Sequence, residues 1–328
     1  MKLGTLNNNT RDGELVIVSK DLVKAIKASS VATTLQKALD NWEIAEPKLN
    51  EIYQNLNNNP NTEGSFNINF DNFHSPLPRA YAWADGSAYV NHVELVRKAR
   101  GATMPEQFWT DPLMYQGGSD TFLRPTQDIP LVDFEWGLDF EAEIAVITDD
   151  TPMHINPETA SQHIKLFMLV NDVSLRNLIP SELSKGFGFF QSKPSSAFSP
   201  IAITPDEFGT HLKDNKVHLP LESWLNNKKF GAPNAGVDMT FDFSELVAHA
   251  AKSRPLSAGT IIGSGTVSNL DRSKGSSCLA EKRMLEKIAT GEIETPFMNI
   301  GDQIKIEMFD ENGKSIFGKI DQKVVKYT

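Results

Sequence analysis

Residues Val132 to Ile147 alternate more strictly than any other stretch of the chain. Val132, Phe134, Trp136, Leu138, Phe140, Ala142, Ile144 and Val146 fall on one side of a period-two pattern, and Asp133, Glu135, Asp139, Glu141 and Glu143 on the other. This predicts one strand with an apolar face packed and an acidic face outside the core. On such a strand Glu141 and Glu143 point the same way, with Cα atoms roughly 6.5–7 Å apart. Two carboxylates at that spacing can converge on one hard cation, and without one they repel. A solvated outer face of an antiparallel sheet accounts for the same pattern, and like charges side by side mildly disfavour it. Both readings stay open on this stretch alone.

The rest of the chain supports a mixed, largely β architecture. Residues 2–6 and Leu15–Val18 read as a hairpin around the Asp12-Gly13 turn. Thr33 to Leu56 has helical spacing, and Pro47 inside it predicts a division into two short helices. The polar, asparagine-rich stretch from Asn55 to Ser65 separates a small N-terminal α/β region, residues 1–75, from a main domain, residues 76–328. In that domain Asn156-Pro157-Glu158 starts a helix, Leu166–Val170 reads as a buried strand, Asp242–Lys252 as a short helix and Gly259–Gly263 as a strand. A hairpin is expected from Gln303–Met308 and Ile316–Ile320 around Asn312-Gly313. No regular βαβ alternation is present, which argues against a Rossmann fold or a TIM barrel.

At 328 residues the chain can bury a full core. Its net charge of −10 argues against general binding to nucleic acid or an anionic membrane surface. The single cysteine, Cys278, excludes an internal disulfide, fits a reducing cytosol and reads as a buried small hydrophobe. No secretory leader pattern or membrane-length apolar run is found, so the expectation is a soluble, cytoplasmic protein.

Asp172 ends the apolar Leu166–Val170 strand, and Asp85 stands in Ala82-Trp-Ala-Asp-Gly-Ser87. With Glu141 and Glu143 they make four carboxylates without a cysteine or histidine cluster, the ligand chemistry of Mg²⁺, Mn²⁺ or Ca²⁺ rather than zinc. Taken singly, Asp85 reads as a turn residue and Asp172 as a strand-end residue. His92, seven residues after Asp85, is a candidate general base because an unperturbed pKa of about 6.5 suits proton removal near neutrality. Arg176 and Lys193 are candidate oxyanion-stabilising cations, although lone cations are usually solvated. Gly263-Ser-Gly-Thr-Val-Ser268 lacks the ending of a phosphate loop, so a nucleotide site is not expected.

Order and spacing together are more specific. Asp85 and His92; Ala99-Arg100-Gly101; Pro112-Leu-Met-Tyr115 with Gly117; Phe140-Glu-Ala-Glu143; Asn171-Asp-Val-Ser-Leu-Arg176; Gln191-Ser-Lys193 with Ser199-Pro200; and Gly265-Thr-Val-Ser268 followed by Glu281 form one series. From about Leu77 to the C-terminus the chain resembles the fumarylacetoacetate hydrolase family. The resemblance implies an α+β, predominantly β fold with a mixed β-roll catalytic domain, a homodimer, and hydrolysis of a carbon–carbon bond in a β-diketone. It implies that Asp85, Glu141, Glu143 and Asp172 hold a divalent metal, Mg²⁺ first and Ca²⁺ or Mn²⁺ otherwise. It also implies His92 as the base for water, oriented by Glu281, with Arg176 and Lys193 stabilising the developing anion. Arg100, Tyr115 and Thr266 would hold the carboxylate ends of a small diketo-acid substrate such as fumarylacetoacetate or an acylpyruvate. Alternatives are a keto-acid decarboxylase, hydratase or isomerase of the same superfamily, or a non-catalytic metal-binding scaffold. The chain departs from the fumarylacetoacetase pattern at Gln116-Gly117-Gly118, where that pattern reads His-Gly-Arg, and at Ile179, where it has a glutamine. These departures bear on which diketone is used.

Overall fold

The computed structural model describes residues 1–99 and 103–328. Among these residues, one mixed twelve-stranded sheet runs through the molecule. Its main path is Ser65–Asn67, Lys24–Lys27, Glu14–Val18, Lys2–Leu6, Ile201–Ile203, Ile164–Asn171, Ala142–Thr148, Ile261–Gly263, Trp83–Gly86 and Met114–Gly117. Two short strands, Phe73–His74 and Ala197–Phe198, attach beside it. A second sheet of five strands contains Lys228–Gly231, Leu221–Leu225, Gln303–Met308, Ile320–Lys326 and Ile129–Leu131. The fold is α+β with large mixed sheets.

The N-terminal hairpin forms as the alternation predicts, with Leu3 opposite Ile17. The helix that follows differs from expectation. Leu35–Leu39 and Trp42–Asn58 are separate helices, so the break lies at Asp40-Asn41 and Pro47 sits inside the second helix. Pro47 is on the exposed side, where water can satisfy the carbonyl that its missing N–H leaves free. Burial of Ala45, Leu49, Tyr53 and Leu56 on the opposite side holds the helix through the proline. At the C-terminus Gln303–Met308 pairs with Ile320–Lys326, Ile306 facing Ile320. The returning strand therefore begins where the alternation expected it to end.

The alternating stretch Val132–Ile147 is not one strand. Asp133 accepts the N–H of Glu135 and starts a 3₁₀ turn over Phe134–Trp136, which Gly137 closes at φ 70°. Leu138–Asp139 then pairs with Ser174–Leu175, and the long strand begins only at Ala142. Val132 and Phe134, expected in the core, are exposed. From Asp139 onward both sides are buried, the acidic Asp139, Glu141 and Glu143 as well as the apolar Phe140, Ala142 and Ile144. Asp139 had the pattern of a solvated strand residue. Its enclosure comes from its partners: Leu138–Asp139 pairs with Ser174–Leu175, and the carboxylate is covered by the start of the Leu279–Thr290 helix and by Arg176.

Two helices complete the frame of the site. Val90–Ala99 follows the Trp83–Gly86 strand, and Leu279–Thr290 packs against it. Cys278 is buried as expected and also caps the second helix, its Sγ accepting the N–H of Glu281 at 3.3 Å. No helix among the described residues is long and apolar enough to cross a membrane.

Candidate active site

Three carboxylates meet where the central strands end. Asp85 lies on Trp83–Gly86, in register with Gly263 on one side and Tyr115 on the other. Glu143 is the second residue of Ala142–Thr148 and is paired with Val170. Asp172 follows the last residue of Ile164–Asn171, its N–H donating to the Glu141 carbonyl at 3.0 Å. One oxygen from each of Asp85, Glu143 and Asp172 lies within 4.8 Å of the others. Oxygens on opposite sides of a hard divalent ion stand about 4–5 Å apart, so the trio has the span of such a site.

The hydrogen bonding fits a cation as well. Both oxygens of Glu143 are buried with no hydrogen-bond partner among the described residues. Burial first, and then the neighbouring Asp85 and Asp172, push the Glu143 carboxyl well above its ordinary range. Burial and Asp172 do the same to Asp85. Burial also raises Asp172, although Lys193 offsets part of that effect. A buried acceptor without a donor is costly, and a bound divalent ion would remove the cost.

Glu141 stands beside this trio in different company. Its Oε1 accepts Nη2 of Arg176 at 2.7 Å, and its Oε2 accepts Nζ of Lys193 at 2.5 Å and the Ser174 hydroxyl at 3.2 Å. Burial alone would raise its pKa, but Arg176 and Lys193 outweigh burial and hold Glu141 well below the usual carboxylate range. Lys193 also donates to Asp172 Oδ2 at 2.5 Å. Burial would discharge this lysine, yet Asp172 and Glu141 overcome it and keep the ammonium charged. Tyr115 completes the corner, its hydroxyl donating to Asp172 while its ring lies 5.0 Å from Lys193 Nζ. The hydroxyl of Ser196 donates to the other Asp172 oxygen at 2.8 Å.

The histidine lies on the same cleft. His92 Nδ1 is 2.6 Å from Glu281 Oε2, which also accepts the Ser268 hydroxyl at 2.6 Å. Glu281 is fully buried; burial raises its pKa, but the hydrogen bond and charge of His92, with Ser268, lower it overall. An ionised Glu281 can only accept, so Nδ1 is the donor in this contact and Nε2 is the ring nitrogen that Glu281 leaves unengaged.

Asp85, His92, Tyr115, Glu141, Glu143, Arg176, Lys193 and Thr266 therefore face one small cleft of about 130 Å³, whose wall also includes Ile179 and Phe189. Arg100 lies outside the described residues. A larger cavity of about 830 Å³, between Tyr53, Glu207 and Asp310, shares no wall with these groups. The Gly263-Ser-Gly265 segment makes room for a carboxylate. A methyl group on Gly263 would stand 2.3 Å from Asp85 Oδ1, and Gly265, at φ 74°, donates its N–H to that oxygen at 2.9 Å. Gly117, in the departing Gln116-Gly117-Gly118 segment, lies against the indole of Trp83, where a Cβ would stand 2.1 Å from the ring.

Sequence reasoning missed Asp139. Its Oδ1 accepts the N–H of Leu279 at 2.7 Å, and its Oδ2 accepts the N–H of Ala280 at 2.9 Å and Nε of Arg176 at 2.8 Å. The available signal was that Asp139 shares the acidic face of Glu141 at a spacing of two residues. Glu182 was missed too. It binds the N–H groups of Phe190, Gln191 and Ser192 and the Ser192 hydroxyl, just ahead of Lys193.

The fold and the cleft first define a class: an α+β protein with a carboxylate cluster able to hold a divalent metal beside a histidine–glutamate pair. Comparison with known families then places it. The model described as fumarylacetoacetate (FAA) hydrolase C-terminal matches residues 81–325, and that described as fumarylacetoacetase N-terminal domain 2 matches residues 1–79. The chain belongs to the fumarylacetoacetate hydrolase family. It is 26% identical over 220 residues to the oxaloacetate tautomerase YisK of Bacillus subtilis (strain 168), covering 65% of this chain and 68% of that one. It is 24% identical over 160 residues to a 2,4-didehydro-3-deoxy-L-rhamnonate hydrolase of Sphingomonas sp. (strain SKA58), covering 48% of this chain and 53% of that protein. Among solved structures, maleylpyruvate hydrolase from Sphingobium sp. SYK-6 in complex with manganese(II) and pyruvate superposes with a TM-score of 0.65 at 15% identity, over 100% of both chains.

Proposed function

We propose that this protein is a divalent-metal-dependent hydrolase that cleaves the carbon–carbon bond of an acylpyruvate-type β-diketone, with fumarylacetoacetate among the candidate substrates. The observation that carries the reading is the His92–Glu281 pair, its free Nε2 on the same cleft as the carboxylate cluster. Asp85, Glu143 and Asp172, with Glu141 beside them, would hold Mg²⁺ or a similar hard ion. When bound, that ion would act as Lewis acid and template for the two oxygens of a 1,3-dicarbonyl.

The chain's own residues supply the rest. His92 takes a proton from water at Nε2 while Nδ1–H stays on Glu281, which stabilises the imidazolium that forms. The hydroxide oxygen adds to the distal carbonyl carbon. The adjacent carbon–carbon bond then breaks, and its electron pair leaves on the pyruvate side as an enolate. Lys193 has three N–H donors, two of them used by Glu141 and Asp172, so one remains for the developing anion, and Arg176 adds positive charge beside it. Return of the proton from His92 to the enolate carbon completes a keto acid and a carboxylic acid. Thr266, Tyr115 and Arg100 are the proposed holders of the substrate carboxylates, and the working unit is proposed as a homodimer.

A second reading is isomerisation or decarboxylation of a small keto acid. The similarity to an oxaloacetate tautomerase and the apolar Ile179 at a donor position favour it. The deciding experiment offers fumarylacetoacetate, acylpyruvates and oxaloacetate with Mg²⁺ or Mn²⁺ and follows diketone absorbance and products. Metal-dependent release of pyruvate or its homologue from a diketone supports the first reading. Turnover of oxaloacetate alone replaces it with the second.

A further inference from the structure

The carboxylate of Asp139 lies between two parts of the proposed machinery that are far apart in sequence. One oxygen receives the first N–H of the Leu279–Thr290 helix, and the other receives the second N–H together with Nε of Arg176. The side chain is fully enclosed, so no water competes for these bonds. Glu281 is the next residue along the helix after Ala280, and its carboxylate orients His92. The same guanidinium that touches Asp139 through Nε touches Glu141 through Nη2.

We infer that Asp139 is a positioning residue, a buried carboxylate that locks the Arg176 guanidinium and the N-terminus of the Glu281 helix into one geometry, so that anion-stabilising cation and base-orienting acid keep a fixed separation. The inference rests on the functional reading above for its consequence in catalysis, but the link between the two elements stands on the contacts alone. An ordinary helix cap needs no guanidinium, and an ordinary ion-pair partner for arginine needs no helix N–H. Asp139 serves both with two oxygens, which gives three donors and no spare rotamer. An amide in its place can accept on one side only, and its NH₂ would face an N–H or the guanidinium.

The test compares wild type with Asp139→Asn, both loaded with Mg²⁺. Calorimetry of Mg²⁺ binding should agree within about twofold, because the substitution leaves Asp85, Glu143 and Asp172 in place. Turnover of the best diketone should fall by about 10²-fold in kcat, as expected when a reacting group is misplaced by about 1 Å. The ¹⁵N resonances of the His92 ring should move, since Glu281 shifts with its helix; a purely structural loss of stability would leave them at their wild-type positions in the folded fraction. A kcat within about twofold of wild type, or unmoved ring resonances, overturns the inference. The ring resonances need no substrate. If wild type cleaves no diketone, the functional reading falls while the coupling is still decided. Should Asp139→Asn fail to fold, Arg176→Lys opens the link from its other end. The Leu279 and Ala280 amide resonances and the His92 ring must then move, and unchanged signals reject the link.

Discussion

Lys193 Nζ stands 2.5 Å from Glu141 Oε2 and 2.5 Å from Asp172 Oδ2, so one ammonium joins the ion-paired Glu141 to the carboxylate trio able to hold a divalent ion. Replacing it with methionine leaves two buried carboxylates without their shared cation. Removing one partner of a buried pair costs about 3–5 kcal/mol, and Lys193→Met should lower Tm accordingly. A divalent ion should raise the Tm of this variant more than that of wild type, because the variant has more uncompensated negative charge. Thermal melts with and without Mg²⁺ check this, and equal increments would contradict the charge argument.

His92→Ala should reduce kcat by about 10²–10⁴-fold while leaving divalent-ion affinity intact, since the histidine touches Glu281 and none of Asp85, Glu143 and Asp172. Single-turnover kinetics together with calorimetry separate the two effects. A variant with near-normal turnover would remove His92 from the role of base.

Gly265→Ala should weaken ion binding from a distance. The new methyl group meets the Gly86 carbonyl oxygen at 2.3 Å, and φ 74° disfavours any side chain there. Relief of that clash displaces the N–H that holds Asp85 Oδ1. Loss of Mg²⁺ affinity together with a stability loss of about 1–3 kcal/mol, seen as a lower Tm, is the expected pair of results. Unaltered affinity would mean that Asp85 needs no such support.

Acid should loosen the segment ahead of Lys193 before it unfolds the whole. Burial opposes ionisation of Glu182, but the Ser192 hydroxyl and three backbone N–H groups outweigh it and lower its pKa from 4.5 to about 2. A depressed folded-state pKa contributes stability that is full above the unfolded value and is lost as pH falls towards the folded one. The window is therefore from about 4.5 down to about 2. Amide exchange at Phe190–Ser192 should accelerate through that window, and Glu182→Gln should show the fast exchange already at neutral pH. Exchange that ignores both acid and the substitution would rule out the anchoring role.

The alternation of Val132–Ile147 drew attention to Glu141 and Glu143 but concealed the local path. Asp133 and Gly137 each carried turn chemistry, yet a period-two count treats them as ordinary strand positions. Asp139 was illegible for a related reason. Its partners are the N–H groups of Leu279 and Ala280, some 140 residues away, and no local pattern reports a contact at that distance. Pro47 was over-read: a proline ends a helix when the freed carbonyl is buried, and here it faces water. The sequence around Gly263 and Gly265 spoke only against a phosphate loop; the space these glycines clear for Asp85 depends on a parallel neighbour that only the sheet order supplies.

The sheet has one more consequence. Lys2–Leu6 pairs with Ile201–Ile203, which in turn borders the strand that delivers Asp172. Cutting away the first hairpin would turn Ile201–Ile203, an all-apolar strand, into an open edge with unsatisfied N–H and C=O groups two strands from Ala142–Thr148. A shortened chain would tend to recruit other chains along that edge, so solubility would be lost before the carboxylate cluster was disturbed.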